Sequence, residues 1–169
     1  MQILKFLLLI IIFLLSTIIG IVIAKMYENR VKELQEFKSI LNAMKTKIKF
    51  TYEPLEEIFN EVSENGKTAV SNIFKQMAIQ IQYKKTDEVW TSCIQNADIS
   101  INQEDKDILK KLGRLLGQTD VDGQISEIEV TQSFLETQLI KAEEEKKRNQ
   151  KMYKTLGAVV GLTFVVILI

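Results

Sequence analysis

No histidine occurs anywhere in the 169 residues. That removes the commonest general base and the commonest zinc ligand together. Cys93 is the single cysteine, so no disulfide can form within the chain, which fits a reducing compartment. One proline and seven glycines are few for a loop-rich or all-β protein, and the composition favours an all-α chain. Net charge is absent too: 22 basic and 22 acidic side chains cancel, so no global field attracts nucleic acid. Charge is also missing from both ends, since every charged side chain except Lys5 lies between Lys25 and Lys154.

What fills the first uncharged end is a continuous apolar run from Phe6 to Ala24, broken only by Ser16, Thr17 and Gly20. As a helix it covers roughly 28 Å, close to the hydrocarbon thickness of a bilayer. A cleaved signal peptide is the rival reading, with Val22-Ile23-Ala24 as its cleavage site. The run is long for that, and the charge ahead of it is only Lys5 and the amino terminus. A retained anchor is therefore expected over residues 1–25. Lys25, Arg30 and Lys32 follow it, while Lys146, Lys147, Arg148, Lys151 and Lys154 precede the apolar end of the chain. The positive-inside rule puts both flanks, and what lies between them, in the cytoplasm, with both termini on the far side.

Between the flanks the sequence reads as a run of helices. Tyr27, Val31, Leu34, Phe37, Leu41, Met44 and Ile48 recur at steps of three and four, so an amphipathic helix continues to about Phe50. Pro54 suits the first turn of a second helix striped by Leu55, Ile58, Phe59 and Val62, and Asn65-Gly66 is its stop signal. A third carries Val70, Ile73, Phe74, Met77 and Ile81. Thr86 is expected to cap a fourth, with Asp87 and Glu88 in its first turn and Val89, Trp90, Cys93 and Ile94 inward. Asn102 can cap a fifth, whose inward residues are Ile108, Leu109, Leu112, Leu115 and Leu116, with Gly117 as its C-terminal cap.

The sixth helix is the long one, from Asp122 to Ile169. Ile125, Ile128, Leu135, Leu139 and Ala142 share one face. Glu143 to Gln150 is polar on every side, and Leu156 to Ile169 is apolar on every side. Unbroken, it would be roughly 70 Å long. The expectation is a bundle over 26–142, a charged helical stalk over 143–154, and a C-terminal transmembrane segment over 155–169. Leu156 to Ile169 covers only roughly 21 Å; counting from Met152, with Lys154 snorkelling, gives roughly 27 Å. Spanning would then need local thinning or tilt, with the Ile169 carboxylate reaching the far surface.

Several motifs invite a sharper function. Asp120-Val121-Asp122-Gly123-Gln124-Ile125, with Glu129 beyond, resembles a calcium-binding EF-hand loop over 118–129. Its first ligand position would be Gln118, which brings no charge, and paired aspartates before a helix serve equally as caps. Gly157 and Gly161 form a G-x-x-x-G, and Ser16, Gly20 and Ala24 repeat that spacing in the first apolar run. Small residues on one face let membrane helices approach closely, so the two segments are expected to pack together or against partners; chance is the alternative. Glu143–Lys147 and Glu144–Arg148 are i,i+4 pairs, whereas Lys151 and Lys154 have no acid four residues earlier and are candidates for anionic headgroups. Glu104, Asp105 and Asp107 read as solvated first-turn acids, not a catalytic set. Neither a phosphate loop nor a nucleophile elbow is present.

Gly113-Arg114-Leu115-Leu116-Gly117-Gln118-Thr119-Asp120, with Gln124 after it, the N-terminal anchor, Pro54-Leu55, and Lys147, Asn149, Lys151, Met152 before Leu156-Gly157 together resemble the stage III sporulation protein AB family of endospore-forming bacteria. The resemblance covers essentially the whole chain. Asp122-Gly123 departs from it, standing where longer charged residues are expected. The resemblance implies an all-α cytoplasmic bundle of about six helices, flanked by transmembrane helices and similar to the cytoplasmic domain of type II secretion inner-membrane platform proteins. It further implies a place in the channel complex between mother cell and forespore, in the mother-cell membrane around the forespore. The partners would be the stage III sporulation protein AA ATPase and other channel components. No enzyme activity, cofactor or resident metal is implied. Within that picture the 117–123 loop, with Arg114, Gln118, Thr119 and Asp120, is the candidate partner contact, although those residues could equally just shape the turn. A membrane-tethered calcium or signal sensor built on Asp120, Asp122 and Glu129 is the alternative function.

Overall fold

Helix boundaries fall where the chain supplies partners for free backbone groups. The computed structural model describes residues 2–64 and 66–168. It contains α1 (Gln2–Phe50), α2 (Leu55–Glu64), α3 (Ala69–Gln80), α4 (Thr86–Asn96), α5 (Gln103–Gly113) and α6 (Val121–Leu168), and no strand among the described residues. Asn65, half of the expected stop signal, and Ile169, whose carboxylate was expected to reach the far surface, lie outside the described residues.

Pro54 stands just before α2, and its carbonyl accepts the Ile58 N–H at 3.1 Å. Proline costs nothing at this position because an N–H there would have no helical partner. Asn102 caps α5 as its sequence suggests. Its side chain accepts the Asp105 N–H at 2.8 Å, and the Asp105 carboxylate accepts the Asn102 N–H at 3.0 Å. Asp105 is fully buried in this capping box, so it is not the solvated acid expected; Asp107 is, exposed and held below the usual carboxylate range by hydrogen bonds from Lys110 and Gln103. Thr68 makes a second capping box with Ser71, opening α3. Two expectations are corrected. Thr86 is the first residue of α4 and not its cap; Lys85 holds the cap position without a side-chain bond. The fifth helix ends at Gly113, four residues short of Gly117, and the chain continues through turns to Thr119.

The chain divides into two compact units, residues 32–140 and residues 1–31 with 141–169. In the first, Leu34, Phe37, Leu41, Met44 and Ile48 of α1 are buried, as the spacing predicts. They meet Phe59 of α2, Phe74 and Met77 of α3, Trp90 and Ile94 of α4, Leu109 and Leu112 of α5, and Ile128 and Leu135 of α6, all buried. The centre is aromatic. Phe74 lies 6.1 Å from Phe37, 6.1 Å from Phe59 and 5.8 Å from Trp90, centroid to centroid. The Trp90 indole N–H donates to the Leu109 carbonyl at 2.7 Å, which satisfies its polar edge inside the core. Cys93, expected inward, is only half-buried; burial pushes its thiol up, away from the reactive thiolate.

Polar ties set the order of the helices. Lys38 pairs with Glu136, Lys45 with Glu129 at 3.3 Å, and the Gln132 amide donates to the Lys38 carbonyl at 3.2 Å, so α1 and α6 run antiparallel in this unit. Glu33 accepts the Ser100 N–H at 2.6 Å and fixes the α4–α5 connection. Burial pushes the Glu33 carboxyl up against the lowering effect of that bond and of one from Ile101. Its folded state therefore holds a proton more tightly than the unfolded chain. The stability this provides is complete below the ordinary glutamate range and is lost as pH rises through the raised folded value. Glu33→Gln removes this one contribution, and pH-dependent chemical unfolding should show a smaller loss of stability over that window.

Space is equally limiting at Gly113, where an added Cβ would stand 2.4 Å from Trp90 Cδ1. Gly113→Ala should destabilise the unit by about 1–3 kcal/mol, the usual cost of overpacking. Trp90 fluorescence during denaturant unfolding measures it.

Candidate functional site

The second unit is an antiparallel pair, the first part of α1 against the last part of α6, and it brings most of the expected membrane-packing residues together. Ser16 Oγ donates to the Gly157 carbonyl at 2.7 Å. A Cβ on Gly20 would lie 2.6 Å from the Tyr153 carbonyl oxygen and 2.9 Å from Gly157 Cα. These are backbone atoms that cannot step aside, so only glycine allows the approach. A Cβ on Gly161 would lie 3.1 Å from Phe13 Cδ2, a looser contact. Ala24 is fully buried on the same side of α1.

Toward the polar end of the pair, Tyr27 stacks on Tyr153 with ring centroids 5.8 Å apart. The Gln150 amide donates to Glu28 at 3.3 Å, and buried Arg30 pairs with Glu145 at 2.7 Å. The charged helical stalk over 143–154 runs beside α1 here. Periodicity missed this because both faces of that stretch are polar, and the partners lie 115 and 122 residues away. Lys151 and Lys154 are both exposed.

The outward surface of the pair has the opposite character. Leu7, Leu8, Leu14, Leu15, Ile18, Ile19 and Val22 on α1, and Val159, Leu162, Phe164 and Val166 on α6, are large, apolar and exposed. Contiguous apolar surface on this scale marks contact with lipid or with another protein. Among the described residues one helix, α1, is long and apolar enough to cross a membrane.

The 114–120 loop is built from its own residues. Gly117 has φ +73°, the left-handed region that glycine enters without strain. Its N–H donates to Gln124 Oε1 at 3.1 Å, and Gln124 Nε2 donates to the Thr119 carbonyl at 3.1 Å. One amide side chain thus clamps the loop at two points. Asp120 Oδ1 accepts the Gly123 N–H at 2.9 Å, capping α6. Arg114, Gln118, Thr119 and Asp120 are exposed around the clamp. The sequence signal for Gln124 is an amide seven residues after the turn glycine Gly117.

In this fold the residues of the calcium-loop resemblance have other engagements. Residues from Val121 onward are helical, where a calcium loop over 118–129 would place its ligands on non-helical backbone. Asp120 is engaged as a cap, and Glu129 lies along α6 beside Lys45. Among the described residues no three acidic or sulfur side chains gather as a metal site.

With these features in hand, comparison with known proteins decides the family. The family model described as Stage III sporulation protein AB matches residues 5–169. The chain belongs to the stage III sporulation protein AB family. A member from Bacillus subtilis (strain 168), named Stage III sporulation protein AB, is 26% identical over 158 residues, 90% of this chain and 92% of that one. A solved structure titled Stage III sporulation protein AB (SpoIIIAB) superposes with a TM-score of 0.67 at 18% identity, over 71% of this chain and 98% of the other. That likeness carries the fold alone, and it agrees with the helices described. Family membership gives the chain a role in sporulation, and neither printed name mentions a reaction.

Two substitutions separate the clamp from the close approach. Gln124→Ala should cost about 1 kcal/mol by exchanging its bonds to the exposed Gly117 N–H and Thr119 carbonyl for bonds to water, seen as a lower Tm. Gly157→Ile should instead push the helix pair apart with the 32–140 unit intact. In detergent, the stacked Tyr27 and Tyr153 rings would lose their near-ultraviolet dichroism while far-ultraviolet helicity holds.

Proposed function

We propose that the chain is a non-enzymatic scaffold of the channel complex between mother cell and forespore, held in the mother-cell membrane by both ends. The 32–140 unit faces the cytoplasm and offers a docking surface to the stage III sporulation protein AA ATPase and to membrane components of the channel.

The observation that carries this reading is the helix pair. Its outer surface is apolar, its inner contact is glycine on glycine, and apart from Lys5 every charged side chain lies from Lys25 onward on α1 or no later than Lys154 on α6. Its register also bears on the short tail. Phe13 is beside Gly161, and Val165 lines the same cleft as Phe6, Leu9 and Ile10. The α6 tail therefore keeps level with the apolar run of α1, and a bilayer that accommodates one accommodates the other. Lys151 and Lys154 then lie at the cytoplasmic headgroups, worth about 1 kcal/mol each with anionic lipid. Tyr27 and Tyr153 fall in the interfacial zone that tyrosine favours.

Single cysteines at Gln2, Lys67 and Ile169, in a Cys93→Ser background, test orientation and spanning together. In intact sporulating cells a membrane-impermeant maleimide should label positions 2 and 169, on the far side of the mother-cell membrane, only after access to the space between the two membranes is opened. Position 67 should label only after the cytoplasm is opened. Labelling of 169 together with 67 would mean that the tail returns to the cytoplasmic side.

A further inference from the structure

Helices α3 and α4 of the 32–140 unit leave an open cleft between them, of about 410 Å³. No residue of the 114–120 loop lines it. Concave sites with a few convergent polar groups are where ligands bind. The polar groups here are mostly of one kind. Asn72, Gln76 and Gln80 on α3 and Asn96 on α4 all line the cleft. None of these four side-chain amides is hydrogen-bonded to a described residue. Most glutamines elsewhere in the unit are spent on the chain itself. Gln82 donates to Glu56, Gln132 to the Lys38 carbonyl, Gln138 to Glu104 and Gln124 to the Thr119 carbonyl.

The spacing of the free amides has a ready counterpart. Asn72, Gln76 and Gln80 stand four residues apart, so they follow one another along α3 at steps of roughly 6.0 Å. An extended chain repeats every two residues, at roughly 6.6–6.8 Å. Over the roughly 12 Å from 72 to 80 the two rows drift apart by less than about 2 Å, which long side chains absorb. A side-chain amide also carries what a peptide group carries, N–H donors and a C=O acceptor. A row of amides at this step can bond alternate residues of an extended main chain.

Other occupants meet the cleft less well. Two charges line it, Lys84 and Asp98, and they cancel, so it selects neither an anion nor a nucleic acid. No aromatic ring is among its lining residues for a base to stack on. An apolar helix would cover the amides and leave them unbonded, at a cost in affinity. The apolar wall is small: Ile73 is buried, and Cys93 and Ala97 are half-buried. Lys84 follows the C-terminus of α3, and Asp98 follows that of α4. The two helices join through residues 81–85 and pack at Phe74 and Trp90, so the two charges mark opposite ends of the cleft.

We infer that the α3–α4 cleft binds an extended segment of a protein partner through its main chain, with Asn72, Gln76, Gln80 and Asn96 bonding backbone groups. An acidic residue of the segment falls at the Lys84 end and a basic one at the Asp98 end, which sets its direction. This rests on the scaffold reading above and gives it a partner contact apart from the 114–120 loop.

The test uses the full chain in a deletion strain complemented at native level. Gln76→Met with Gln80→Met keeps side-chain length and helix propensity and removes two amides, so Tm should hold. Cys93, the single thiol, lines the cleft and reports its occupancy. In membranes from sporulating cells, N-ethylmaleimide should alkylate Cys93 several-fold more slowly than in membranes from vegetative cells making the same chain. Losing the bonds of two amides costs about tenfold or more in affinity, so the Met pair should erase that protection. A photo-reactive phenylalanine at position 69, on the rim, should cross-link to one short segment of a different protein. Mass spectrometry of the adduct should find an acid and a base in that segment, and the Met pair should abolish the adduct. An adduct that survives the Met pair means apolar contact and overturns main-chain recognition. Equal alkylation in the two membranes, or adducts confined to lipid or to further copies of this chain, overturns the cleft as a docking site. Each of these failures, where the deletion strain makes no spores, leaves the scaffold reading standing. Normal sporulation by the deletion strain itself would overturn both.

Discussion

The close approach of α1 and α6 at Gly20 and Gly157 is the constraint on which the most depends. Helix backbones meet this closely only where neither carries a Cβ. The hydrogen bond from Ser16 to the Gly157 carbonyl adds to this about 1 kcal/mol, the usual net worth of one such bond. What the glycines secure is register: once 20 and 157 are opposed, Tyr27 meets Tyr153, Glu28 meets Gln150, and Arg30 meets Glu145. The same antiparallel sense is present in the other unit, where Lys38 and Lys45 meet Glu136 and Glu129. The four short helices between residues 55 and 113 fill a core whose first and last walls are the two long ones.

Much of this was legible in the residue pattern, and the reasons are local. Steps of three and four from Val31 to Ile48 predict a buried face because a helix repeats every 3.6 residues. Asn102 predicts a cap because its side chain reaches an N–H three residues on. The failures were of two kinds. Thr86 and Gly117 were misplaced by a residue or a turn, since the signals that end helices act over a whole turn and not at one position. The paired character of residues 143–154 was invisible because polar residues carry no periodic mark when their partners are also polar.

The loop after α5 teaches a related lesson about motifs. Leu-Gly-x-x-Asp followed by Gln124 looked like recognition chemistry or a calcium loop. In the fold its glycine turns the chain, its aspartate caps α6, and Gln124 holds the two strands of the turn. The acids show the same economy: Asp105 and Glu33 are spent on backbone N–H groups.

The register of the helix pair is the quantity to measure. Spin labels at Leu9→Cys and Val165→Cys, in a Cys93→Ser background and in lipid bilayers, report the separation of the two apolar ends by pulsed electron resonance. Helices whose axes lie about 10 Å apart give a short and narrow distribution, and Gly157→Ile should broaden it and move it outward. A long or shapeless distribution in the unmodified pair would contradict the pairing of the two long helices.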